Sequence, residues 1–217
     1  MTIFAIISLI VGYTGAFLVH FYTSQEDFEL KKYPNFVYFL FLLCVSVIIY
    51  FSTIFLGLPY QIFFLSYSIL MLLCVLGLID IKCLAIPDAL NFLFLMMCVA
   101  YAFLYLHRDL SELFSRIFIG FGLGGIFFAL KIFYQSLTRK DIIGEADIIV
   151  LSGLGVAFDI FFALLSVFAG SFIALLYAIF LGIFQKTQIR DIKLPFVFFM
   201  FIGVLLVYIT SPFWKFV

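Results

Sequence analysis

The fold class predicted for this chain is all-α: a polytopic bundle of about eight transmembrane helices with the N-terminus outside. Three observations predict it. Hydrophobic residues make up 67% of the 217, charged residues only 11%, and the mean hydropathy is +1.32. A soluble domain of that composition would carry an apolar patch over its whole surface. Apolar runs of roughly 20 residues recur along the entire chain, the length needed to cross a hydrocarbon core of about 30 Å. The runs are unbroken, whereas a transmembrane β-barrel would show short strands of alternating polarity.

The spans fall at roughly 3–22, 36–56, 61–80, 89–106, 113–136, 147–158, 160–185 and 194–211. The first, Ile3 to Phe21, lacks the basic start of a signal peptide and has too long an apolar stretch, so it reads as a retained span. Loops are short, with polar stretches at Thr23–Asn35, His107–Glu112, Leu137–Glu145 and Lys186–Lys193. No Pro/Gly/Ser-rich linker and no shift in composition divides the chain, which predicts a single membrane domain over residues 1–217.

The stretch 147–185 decides the topology, because Asp159 interrupts otherwise apolar sequence. Residues 148–158 as a helix would reach only about 16 Å, short of a full crossing. Lys and Arg accumulate in cytoplasmic loops. Two passes with the N-terminus outside put nine on the cytoplasmic side (Lys31, Lys32, Lys82, Lys131, Arg139, Lys140, Lys186, Arg190 and Lys193). Arg108, Arg116 and Lys215 are then left opposite. A single pass would spoil this asymmetry, so two passes are expected, the short one in a thinned or protein-lined region.

Net charge is zero, from 12 Lys+Arg against 12 Asp+Glu, which gives no electrostatic footprint for nucleic acid. Cys44, Cys74, Cys83 and Cys98 show no CxxC spacing and read as packing residues. His20 and His107, the two histidines, form no HExxH pattern, so no catalytic metal is expected. Ser152-Gly153 lacks the flanking glycine of a nucleophile elbow.

Carboxylates at the ends of spans are the remaining chemistry, since ionisable groups there are costly. The candidates are Asp80, Asp88, Glu145, Asp147 and Asp159. In the eight-span topology Asp80 ends span three and Asp147 begins span six, at the same face. Two such carboxylates converging in a low-dielectric site would share a proton. The ionised one could then deprotonate water while the neutral one polarises a carbonyl. The plainer readings are structural. Asp147, after Gly144 and before an apolar run, could cap a helix, Asp88 after Pro87 caps the start of span four, and Asp159 is a turn residue at the far face.

Three segments carry a resemblance to a known family. Asp80-Ile-Lys-Cys-Leu-Ala-Ile-Pro87-Asp88 resembles the first signature of type IV prepilin peptidases, an Asp followed some seven residues later by Pro-Asp or Pro-Asn. Gly144-Glu145-Ala146-Asp147, leading into Ile-Ile-Val-Leu-Ser-Gly-Leu-Gly155, resembles their GxGD signature, with Ala146 where bacterial members usually have Gly. Lys193-Leu-Pro195-Phe196 resembles the closing segment, and Gly122, Gly124 and Gly125 fit the glycine-rich helix. The resemblance runs over about residues 60–205, in order and at matching spacing. It implies a membrane aspartic endopeptidase with Asp80 and Asp147 as the catalytic pair. Pro87, Asp88, Gly144, Glu145, Ala146, Lys193 and Pro195 would then shape the site or position substrate.

It further implies prepilin or pseudopilin substrates of pilus, type II secretion or DNA-uptake machinery, cut after a glycine between a basic leader and an apolar helix. The place would be the cytoplasmic face of the bacterial inner membrane, with the lipid bilayer as the other partner and a homo-oligomer compatible with the sequence. No cofactor is needed for hydrolysis. Larger members also methylate the new N-terminus with S-adenosylmethionine and carry a four-cysteine domain after the first span. Here that loop, Thr23–Asn35, has no cysteine, which puts the methyl transfer in question. Its Glu26, Asp27 and Glu29 read as a solvated loop or as an attractor for a basic leader. A competing reading is a small proton-coupled transporter using the same carboxylates, with facing broken helices near the midplane and internal symmetry. Another is a non-enzymatic scaffold whose aspartates are caps.

Overall fold

The computed structural model describes residues 2–24, 35–56, 60–105, 109–139, 144–185 and 194–214, and every helix among them is α. In chain order these are α1 (Thr2–Ser24), α2 (Asn35–Phe55), α3 (Tyr60–Cys83), α4 (Asp88–Tyr105), α5 (Leu110–Thr138), α6 (Glu145–Ala157), α7 (Ile160–Gln185) and α8 (Phe196–Trp214). Each coincides with an expected span. Five of them, α2, α3, α4, α5 and α7, are long and apolar enough to cross a membrane, while the apolar parts of α1 and α8 (Ile7–Thr23 and Phe196–Thr210) are shorter. The acidic loop residues Glu26, Asp27 and Glu29, and Lys193 of the closing segment, lie outside the described residues.

The bundle is built around α3. Two thirds of its apolar window is buried (67%), against 17% in α5 and in α7. It packs against α1, α2, α4 and α8. Polar side chains link neighbours inside this apolar core. Ser46 and the Tyr67 hydroxyl meet at 2.6 Å between α2 and α3, and the Tyr208 hydroxyl of α8 donates to Thr53 Oγ1 of α2 at 3.3 Å. In hydrocarbon such pairs replace hydrogen bonds that water would otherwise make.

The short helix α6 is the exception to the spanning pattern. At thirteen residues it is about 20 Å long, and Val150 to Phe158 are buried without a break. A helix apolar on every side belongs in an interior, and here α4, α5, α7 and α8 all touch it. The expected protein-lined short segment is therefore present. Its C-terminal carbonyl, on Phe158, accepts the Arg116 guanidinium of α5 at 3.4 Å. That places a cation where the helix dipole is negative. The following turn uses Asp159 at φ 133, a region L-residues seldom adopt.

Close approach of α5 to α6 depends on glycine. A Cβ at Gly120 would lie 2.6 Å from the Val156 backbone nitrogen, and one at Gly124 would collide with the Ser152 hydroxyl. Gly122 and Gly125, on the other side of α5, have nothing within 4 Å. The glycine-rich helix thus has one face that requires its glycines and one that does not. Gly120→Ala should cost about 1–3 kcal/mol through overpacking. Gly125→Ala should be neutral or stabilising by up to about 1 kcal/mol. Thermal unfolding of the two purified variants in detergent checks this, and equal losses would contradict the close packing.

Candidate active site

Asp80 lies one turn inside the end of α3: the span expected to close at about residue 80 continues as helix to Cys83. It ends where Leu84 takes a left-handed conformation (φ 50) and returns its N–H to the Asp80 carbonyl at 2.9 Å. Asp80 as a whole is 7% exposed. One of its oxygens, Oδ2, accepts the backbone N–H of Val197 at 2.9 Å.

That bond explains the closing segment of the resemblance. The carbonyl of Pro195 accepts the Phe199 N–H at 3.4 Å, which makes Pro195 the residue preceding α8. N–H groups in a first helical turn have no partner within their own helix. Val197 supplies such an N–H, and Asp80, from 117 residues earlier, satisfies it. An anion also suits the positive end of the α8 dipole. Asp80 is thus a cap for a different helix, which local sequence reading did not foresee.

Asp147 sits in the first turn of α6. Its Oδ2 accepts the N–H of Gly144 at 3.0 Å, so the capping role foreseen for it is real. Only half of a capping box forms, because Gly144 has no side chain to bond in return. A side chain at Gly144 would itself press on this carboxylate, since a Cβ there lies 3.0 Å from Oδ2.

The two carboxylates are within electrostatic reach of one another. Their helices do not pack directly: among the described residues no Cα of α3 lies within 8 Å of one of α6, and α4 and α8 each touch both.

Asp88 is the first residue of α4 and is exposed. The capping position belongs to Pro87 instead, whose carbonyl accepts the N–H groups of Leu90 and Asn91 at 3.0 and 3.1 Å. Glu145 is 83% exposed and holds the Lys131 ammonium of α5 at 3.3 Å. Ala146 is half-buried between Glu145 and Asp147. Lys131 had figured in the sequence only as one cation of the charge asymmetry. Its side chain is 11% exposed and within electrostatic reach of Asp147. A lone lysine inside a 29-residue apolar helix is the signal that could have marked it.

Because an asparagine oxygen also accepts an N–H, Asp80→Asn should keep its bond to Val197, and Asp147→Asn its bond to Gly144. Each variant should unfold within about 1 kcal/mol of the parent, read by thermal melts in detergent. A larger loss would mean that the negative charge itself holds the helix ends together. Glu145→Gln should likewise cost no more than about 1 kcal/mol, since one partner of its ion pair faces solvent.

The comparisons bear on this arrangement. No curated protein and no solved structure matches the chain. The model of the type IV leader peptidase family matches residues 67–179, a stretch that contains both carboxylates, Pro87 and the glycine-rich part of α5. Only the closing segment at Lys193–Phe196 falls outside it. With just over half its length matched, from the core of α3 into the last third of α7, this helical membrane protein belongs to the type IV leader peptidase family.

Proposed function

We propose that the protein is an aspartic endopeptidase that removes the leader peptide of type IV prepilins or pseudopilins, with Asp80 and Asp147 as its catalytic pair. The observation that carries this is that two carboxylates on separate helices, α3 and α6, lie within electrostatic reach of one another in a largely apolar interior. Each is oriented by a backbone N–H at the start of a helix.

In this mechanism the pair holds one proton between them, because like charges in a low-dielectric site do not both ionise readily. The ionised carboxylate takes a proton from water as the oxygen attacks the scissile carbonyl. The protonated one donates to the carbonyl oxygen, giving a neutral tetrahedral diol. Collapse of the diol breaks the C–N bond, with the departing nitrogen protonated by the first carboxyl and the diol hydroxyl proton returned to the second. Water is the nucleophile and hydrolysis consumes no cofactor. S-adenosylmethionine would enter only with a methyl transfer, a step outside this mechanism.

The same proposal places the chain in the bacterial inner membrane with eight passes and the N-terminus outside. Lysine and arginine asymmetry supports it, since Lys82, Lys131 and Arg139 belong to the carboxylate end of the bundle and Arg116 to the other. A substrate helix in the bilayer with its basic leader in the cytoplasm would present its cleavage point at that level.

The test is co-expression with an epitope-tagged prepilin and separation of precursor from product on a gel. The parent should process the precursor, and Asp80→Asn and Asp147→Asn should each slow processing by at least about a hundredfold at equal protein levels. Unchanged processing by either variant would rule out the two-aspartate mechanism. No processing by the parent would favour the proton-coupled transporter, to be sought as proton flux in vesicles.

A further inference from the structure

One polar side chain in the interior serves neither the fold nor the mechanism above. Asn91, in α4, is 1% exposed, and its side-chain oxygen has no hydrogen-bond partner among the described residues. Its backbone N–H is spent on the Pro87 carbonyl, and no N–H of its own helix reaches its side-chain oxygen. Helix capping therefore does not account for it. An asparagine left in this state destabilises the protein relative to an apolar residue of the same shape, and such sites cluster where a protein acts on something else.

The register of α4 against α6 locates it. The Tyr101 ring packs at a tilt against Phe158, centroids 5.3 Å apart, and Phe94 and Cys98 lie against Gly153, where a Cβ would meet them at 2.9 and 3.2 Å. The two helices thus run side by side in the same direction. Asn91 shares the face of Phe94 and Cys98, at helical spacing. Continuing the register one turn towards the helix starts sets Asn91 level with Ile148, the neighbour of Asp147. It is also as far from the Leu84–Pro87 turn along α4 as Asp80 is along α3. The residue stands on a helix that touches both α3 and α6, at the depth of both carboxylates.

We propose that Asn91 is a substrate-positioning residue: its side-chain amide hydrogen-bonds the peptide backbone beside the scissile bond as that segment enters between Asp80 and Asp147. A primary amide suits an extended strand, because its oxygen accepts a backbone N–H while its NH₂ donates to a carbonyl. It carries no charge into a site already holding two carboxyl groups. The inference rests on the peptidase reading and deepens it.

Purified parent and variants in detergent, assayed on a tagged prepilin, provide the test. Asn91→Leu should lower kcat/KM at least tenfold while its melting temperature stays level or rises, a combination that a purely structural asparagine would not give. A stable Asn91→Leu with parental kcat/KM would overturn the assignment. Should Asn91→Leu not fold, Asn91→Ser and Asn91→Ala decide, being nearly equal in size. Serine retaining several-fold more activity than alanine supports a hydrogen bond to substrate, and equal activity overturns it. A parent enzyme that cleaves nothing would instead remove the peptidase reading itself, an outcome distinct from either.

Discussion

A helix of thirteen residues in a bundle of longer ones imposes the constraint on which the structure turns. Helix α6 cannot cross a bilayer core by itself, so neighbouring helices must enclose it. Enclosure explains its composition, small and apolar on every side, and the glycines at its contact with α5, where backbones approach too closely for a Cβ. It also explains the ends. Arg116 meets the C-terminal carbonyl, and Asp147 meets the Gly144 N–H, so both termini find side-chain partners. With a position fixed at both ends, the first turn of α6 has little freedom in where it holds Asp147.

The opposite carboxylate is held by comparable physics from another direction. Asp80 rides on the most buried span and is tied to the first turn of α8. Each acid therefore faces backbone N–H groups at a helix start, one its own and one borrowed. Backbone dipoles have no rotamers to sample, which makes them firm supports for groups that must keep a set orientation. The same contacts join chemistry to architecture: α3 and α8 are pinned together by a residue that the proposed mechanism uses. Lys131 adds a cation nearby without direct contact, as its ammonium bonds Glu145.

Much of this was legible in the sequence, and the reason is the bilayer. Apolar runs of crossing length leave little choice but helix, so the eight helices among the described residues lie where the hydropathy put them. The short helix was legible too, because Asp159 divides an apolar stretch too long for one pass and awkward for two. Asp80 and Asp147 stood out as carboxylates at span ends. What escaped notice was pairing across long separations. That Asp80 would satisfy Val197 depends on how α8 returns to the bundle, which no local pattern records. Asn91 and Lys131 escaped for a different reason. Each is an isolated polar residue within an apolar stretch of its helix, belongs to none of the signature segments, and takes its meaning from neighbours on another helix, α6 above all. The extension of α3 past Asp80 was hidden because Lys82 and the nearby Pro87 look like the end of a span.

The contrast between enclosed α6 and the outward faces of α5 and α7 has a consequence for how this protein can change over evolutionary time. A side chain pointing into lipid must satisfy hydropathy and little else, so leucine, phenylalanine and isoleucine can replace one another there at small cost. On α6 and the faces that grip it, size is fixed to within a methyl group. Divergence should therefore erase the periphery first and leave a recognisable thread from α3 to α7, which is the stretch the family model matches.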